Sequence, residues 1–122
     1  MNIKTTETNG HVIAIVQADS VILIDEQSTL DMIMTITYDH NSNRIAINKE
    51  AISEDFFILS TKLAGAVLQK FVNYNMKFAV IGDFSGYTSK ALKDFIYECN
   101  KGDNIFFVSS EQEAIDKLSK SK

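Results

Sequence analysis

The chain contains no proline and no tryptophan. Without proline there is no stiff linker to separate domains and no X–Pro bond to act as a slow cis–trans switch. A single cysteine, Cys99, excludes an internal disulfide framework and any zinc cage built from several thiolates. Arg44 is the only arginine and the net charge is −4, a poor basis for gripping the phosphates of a nucleic acid. No apolar run approaches the roughly 20 residues that span a bilayer, so no membrane partner is expected. The segment Met1–Glu7 lacks the apolar stretch of a signal peptide, which together with the lone thiol points to the cytoplasm.

What is present suits a soluble globular chain: 122 residues, 45% hydrophobic and 23% charged. A mass of 13.7 kDa implies a folded surface of about 6,600 Å². That is enough burial for one domain over 1–122 and too little for two. The polar tail Ser119-Lys120-Ser121-Lys122 is expected to fray.

Local patterns then give the architecture. Asn9-Gly10 favours a type I′ turn between a polar strand over 2–8 and an apolar strand, Val12–Val16. A shorter apolar run, Val21–Ile24, reads as a third strand. Asp25 or Ser28 caps a helix whose inner face would be Leu30, Ile33, Met34 and Tyr38. Ile45–Ile47 is a strand. Ser53 then reads as the N-cap of the strongest helix, with Phe56, Leu59, Leu63, Val67, Phe71 and Tyr74 at three- and four-residue steps. Phe78–Ile81 is a strand, and Thr88 or Ser89 caps a helix with Leu92, Phe95, Ile96 and Cys99 inward, closed by Gly102. Ile105–Val108 is the last strand, and Ser110 opens a final helix carrying Ala114, Ile115 and Leu118. Strands separated by single helices require crossovers and parallel pairing. The expected fold is therefore α/β: a mostly parallel sheet, an N-terminal antiparallel hairpin and about four helices.

Ligands in open parallel sheets bind beyond the carboxyl ends of the strands. Asp25, Glu50 and Asp83 fall at such ends, and converging carboxylates are what a divalent-metal or acid–base site needs. Polar loops and helix caps account for the same residues. The loop Gly82–Lys90 leaves a strand and enters a helix, so Thr88, Ser89 and Lys90 are candidates for holding an anion on free N–H groups. Its spacing is not that of a Walker A loop. No paired histidines, no nucleophile elbow and no cofactor motif accompany these residues.

The runs Ser53-Glu54-Asp55-Phe56-Phe57, Leu68–Tyr74, Gly82–Lys90 and Leu92–Glu98 resemble a family of short bacterial proteins known only as a domain of unknown function, number four-one-eight-zero. That resemblance implies a cytoplasmic bacterial protein and no established activity. More loosely, the element order is similar to anti-sigma-factor antagonist (STAS) domains, in which a loop with a regulatory serine links a strand to a helix. By position Ser53 stands there, but the Asp-Ser-Ser-Gly signature is replaced by Ile52-Ser53-Glu54-Asp55. The layout implies a non-catalytic regulatory or protein-interaction module presenting Lys49, Glu50, Ser53, Glu54 and Asp55 to a protein partner, or self-associating. The alternative is a small-molecule or metal-dependent enzyme using Asp25, Glu50 and Asp83. No cofactor is expected under the first reading.

Overall fold

Asn9 and Gly10 both take positive φ, 54° and 79°, closing a two-residue hairpin turn. In the computed structural model, which describes residues 1–122, this turn joins β1 (Asn2–Thr8) to β2 (His11–Gln17), with Thr8 opposite His11. β2 then pairs in parallel with β3 (Arg44–Asn48), β3 with β4 (Lys77–Ile81), and β4 with β5 (Ile105–Val108). The five strands lie in chain order, β1-β2-β3-β4-β5. Helices α1 (Glu26–His40), α2 (Leu63–Asn73) and α3 (Lys90–Lys101) are the three crossovers, and α4 (Glu111–Lys120) follows β5.

Strand order in step with the sequence has a simple consequence. Right-handed crossovers that always advance in one direction put every crossover helix on the same face. Ala14, Val16, Ile45, Ile47, Phe78, Val80 and Phe107 accordingly pack with Ile36, Val67, Phe71 and Leu92 in a core of 23 buried residues. Their strand neighbours Ile13, Ile15, Ala46, Ala79, Phe106 and Val108 point the other way, onto Ala114 and Leu118 of α4, in a second core of 8. Burial on both faces explains why these strands read as unbroken apolar runs. The accessible surface, 6568 Å², agrees with the size expectation. No helix is long and apolar enough to cross a membrane.

Three local expectations are corrected. Val21–Ile24 forms no strand. Both edges of β2 are already occupied, so the run makes only a one-residue bridge, Leu23 to Ile52, with Ile22 and Leu23 N–H donating to the Ala51 carbonyl. Of the two cap candidates Asp25 takes the position in α1, yet the buried face is Thr29, Met32, Ile33 and Ile36, and Tyr38 is exposed. Thr29 tolerates burial because its hydroxyl donates to the Asp25 carbonyl at 2.8 Å.

The long helix expected from Ser53 is broken. Short 3₁₀ turns cover Glu54–Phe57 and Leu59–Thr61, Lys62 is left-handed at φ 68°, and α2 starts only at Leu63. Phe56 and Phe57 are both buried, in edge-on contact at 5.0 Å. Adjacent residues on a helix diverge by about 100°, so one continuous helix would expel one ring. Thr61 Oγ1 reinforces the break by reaching back to the Asp55 and Ile58 carbonyls at 2.6 and 2.8 Å. The tail packs on the sheet end: Ser119 and Ser121 are buried, and Arg44 Nη1 donates to Ser121 Oγ at 2.8 Å.

Candidate functional site

The loops after β3 and β4 meet, and they do so through a lysine. Gly82 ends the β4 strand against the first residue of the β3 loop so closely that a Cβ at Gly82 would lie 2.7 Å from Lys49 Cβ. A side chain of any kind at 82 would push the loops apart. The glycine lets Lys49 turn inward, where Nζ pairs with Glu54 Oε1 at 3.0 Å. Nζ also sits 5.3 Å from the Phe57 ring centroid and 5.0 Å from that of Tyr87. Those rings stack on each other at 5.2 Å, and the Tyr87 hydroxyl closes the triangle by donating to the Glu54 carboxylate, 3.1 Å from each oxygen. Phe84 backs the stack, 6.0 Å from Phe57 and 5.5 Å from Phe107.

The electrostatics follow from this box. Burial pulls the Lys49 ammonium down, but Tyr87 and Glu54 together outweigh it and hold it above the ordinary lysine range. Burial raises the Tyr87 phenol, and the adjacent Glu54 carboxylate adds to that, against Lys49. The lysine is a fixed cation that clamps one loop to the other. Asn48 extends the arrangement inward: its amide accepts from Ala18 N–H at 2.9 Å and donates to the Ala18 carbonyl at 2.8 Å, tying the β2 loop to the same end.

Of the residues marked by sequence, Lys49 and Glu54 are drawn into this cluster. Ser53 and Asp55 lie beside it, with Ser53 Oγ accepting from Asp55 N–H at 3.3 Å. Glu50 faces solvent, in weak contact with Asn48 Nδ2 at 3.4 Å. Tyr87, Phe57 and Gly82 complete the site; they lie in runs that carry the family resemblance, but nothing in the sequence joins the two loops. Their types are ordinary for a core and a turn, and only the meeting of two loops gives them a role.

The other candidates stay apart. Asp25 is occupied as the α1 cap, accepting from Ser28 N–H at 2.8 Å, which lowers its carboxyl below the usual range. Asp83 accepts from Ser85 N–H at 2.9 Å in its own loop, and the Ser85 side chain and then its backbone lower the Asp83 carboxyl below the usual range. With Glu50 they form no cluster of three His, Cys, Asp or Glu able to hold a metal ion. Ser89 caps α3 by accepting from Leu92 N–H at 3.2 Å, and Lys90 pairs along the helix with Asp94 at 2.7 Å. Thr88 is exposed between this helix start and Tyr87.

Fold and site together define a singly wound α/β domain with an antiparallel edge hairpin and clamped loops at the carboxyl ends of its central strands. A family model, Domain of unknown function (DUF4180), matches residues 8–118, and the chain belongs to that family. No curated protein and no solved structure matches it.

Proposed function

We propose that this domain is a non-catalytic regulatory or protein-interaction module, of STAS-like layout, that presents the loop 49–61 to a protein partner. The observation that carries the reading is the clamp. Lys49, Glu54, Tyr87 and Phe57 hold an irregular loop in one shape while Glu50, Asp55 and Ile58 remain outside. Ile58 is 50% exposed in the same loop as the exposed Glu50 and Asp55. A rigid loop that offers carboxylates and an apolar residue suits a partner with basic groups and an apolar socket, because preorganisation lowers the ordering cost of binding.

Topology favours the same reading. Ligand crevices in open α/β sheets form where the strand order reverses. Here the parallel strands never reverse. Order in step with the chain also supports the antagonist-like layout, with the cytoplasmic, bacterial setting that goes with it. Binding would not need phosphate on Ser53: Glu54 and Asp55 flank that hydroxyl and would repel one.

Capture from lysate of the source cell tests the reading, comparing wild type with Asp55→Lys and with Lys117→Glu on α4. The partner should be lost at least about tenfold with Asp55→Lys, kept with Lys117→Glu, and released by salt. Equal capture by wild type and Asp55→Lys, with unchanged melting, would refute it. A melting shift produced by a divalent ion or metabolite would favour the enzyme alternative instead.

A further inference from the structure

The amino ends of the parallel strands, opposite loop 49–61, carry an unbalanced charge. Arg44 opens β3, Lys77 opens β4, and the two are register partners. Each alternates with an alanine of the second core, Ala46 and Ala79, so both side chains leave the sheet on the α4 face. Like charges side by side on one face repel. Arg44 is only 3% exposed, yet it pairs with no carboxylate. Its partners are Ser121 Oγ, the Ser121 carbonyl and His11 Nε2, all uncharged, since an accepting ring nitrogen carries no proton. These take three of the five guanidinium donors, and Nε is buried with no partner at all. Burial pulls the guanidinium below its ordinary range, and the Asp103 carboxylate offsets only part of that. Asp103 is itself engaged, accepting from Lys122 N–H at 2.6 Å and from Lys77 Nζ at 3.5 Å.

A cleft of about 360 Å³ opens beside these groups, between the turn before β4 and the tail. Arg44, Lys77 and Lys122 line it together with Asn43, Asn75 and Asn104, and no acidic side chain does. Lys77 Nζ donates to Asn104 Oδ1 at 2.6 Å, which leaves the donor end of that amide unspent. We infer that this cleft binds a small oxyanion, a molecule carrying a phosphate or carboxylate group, between Arg44 and Lys77. A buried cation without a counter-ion is costly, and an oxyanion here would relieve both that cost and the repulsion between the two cations. It would also gain charge-assisted bonds from donors that the chain leaves unused. The volume falls within the range of small-molecule sites, about 300–1,000 Å³, so the anion can carry an organic body. Crevices set by a reversal of strand order lie at the carboxyl ends. This one owes its walls to a turn and the tail instead.

An NMR titration of the full chain with sodium phosphate and with sodium malonate, against sodium chloride at equal ionic strength, tests this. The amide shifts of 43–44, 75–77 and 103–104 should move saturably with an oxyanion and not with chloride, and the tighter anion names the head group. Lys77→Met and Asn75→Asp leave the bonds between Arg44 and the tail in place, and each should weaken binding at least about tenfold. Asn75 is left-handed at φ 57°, a conformation that aspartate also tolerates. Lys93→Met on α3, outside the cleft, should bind as wild type does. No saturable shift with either oxyanion, or equal affinity in wild type, Lys77→Met and Asn75→Asp, would overturn the inference. A metabolite effect that Lys77→Met abolishes belongs to this cleft and not to the enzyme alternative. Loop 49–61 is untouched by these variants, so the partner reading stands or falls separately.

Discussion

Gly82→Ala is the sharpest probe of the loop clamp. The added methyl would lie 2.7 Å from Lys49 Cβ, 3.0 Å from its Cδ and 3.4 Å from its Cγ. Carbon atoms prefer about 3.5–4.0 Å. The nearest atom is fixed to the backbone, so no rotamer of Lys49 relieves the clash and the loops must separate. Overpacking of this kind costs about 1–3 kcal/mol. Losing the lysine's place over Phe57 and Tyr87 adds about 0.5–1 kcal/mol. The Lys49–Glu54 pair adds little, because the Glu54 side chain is 65% exposed.

A central value of about 2 kcal/mol lowers a urea midpoint by about 1 M at a slope of about 2 kcal/mol/M. At about 2.1 cal/mol/K per residue over 122 residues, the same loss lowers Tm by about 8 °C. Two backgrounds isolate the cause. Lys49→Ala keeps the Cβ, so Gly82→Ala should remain costly there; Lys49→Gly removes it, and the penalty should largely vanish. A neutral Gly82→Ala, or an undiminished penalty in Lys49→Gly, would refute the reasoning.

Two further expectations concern the tail and the phenol. Arg44 donates to Ser121 Oγ at 2.8 Å, to the Ser121 carbonyl at 3.1 Å and to His11 Nε2 at 3.3 Å. Arg44→Ala should therefore cost about 2–3 kcal/mol and unprotect the amides of 119–122 in hydrogen exchange. Arg44→Met should regain part of the stability by packing without a buried charge. Unchanged exchange in Arg44→Ala would refute the latch. Tyr87 and Lys49 both have raised pKa values in the folded state, so their stabilisation is complete below their ordinary values and fades as pH climbs through the folded ones. The tyrosinate absorbance lost in Tyr87→Phe should accordingly show a midpoint above about 10, and a midpoint at or below it would refute the buried, hydrogen-bonded phenol.

The sequence by itself determined the element types and the parallel core. Ile45–Ile47, Phe78–Ile81 and Ile105–Val108 are short apolar runs between helical patterns, a local property that survives any tertiary arrangement. The hairpin and the Ser110 cap were equally legible, and the other two caps to within a choice of Asp25 or Ser28 and of Thr88 or Ser89, because turn and cap chemistry acts over three or four residues. Tertiary structure alone decided the rest. Val21–Ile24 has strand composition but found no free edge, and the helix expected from Ser53 broke so that Phe56 and Phe57 could both be buried. Lys49 is far in the chain from the loop that holds Gly82 and Tyr87, and all three are ordinary in kind. Periodicity reports which way a residue faces within its own element, while the clamp, the docked tail and the cleft beside Arg44 and Lys77 depend on which elements meet.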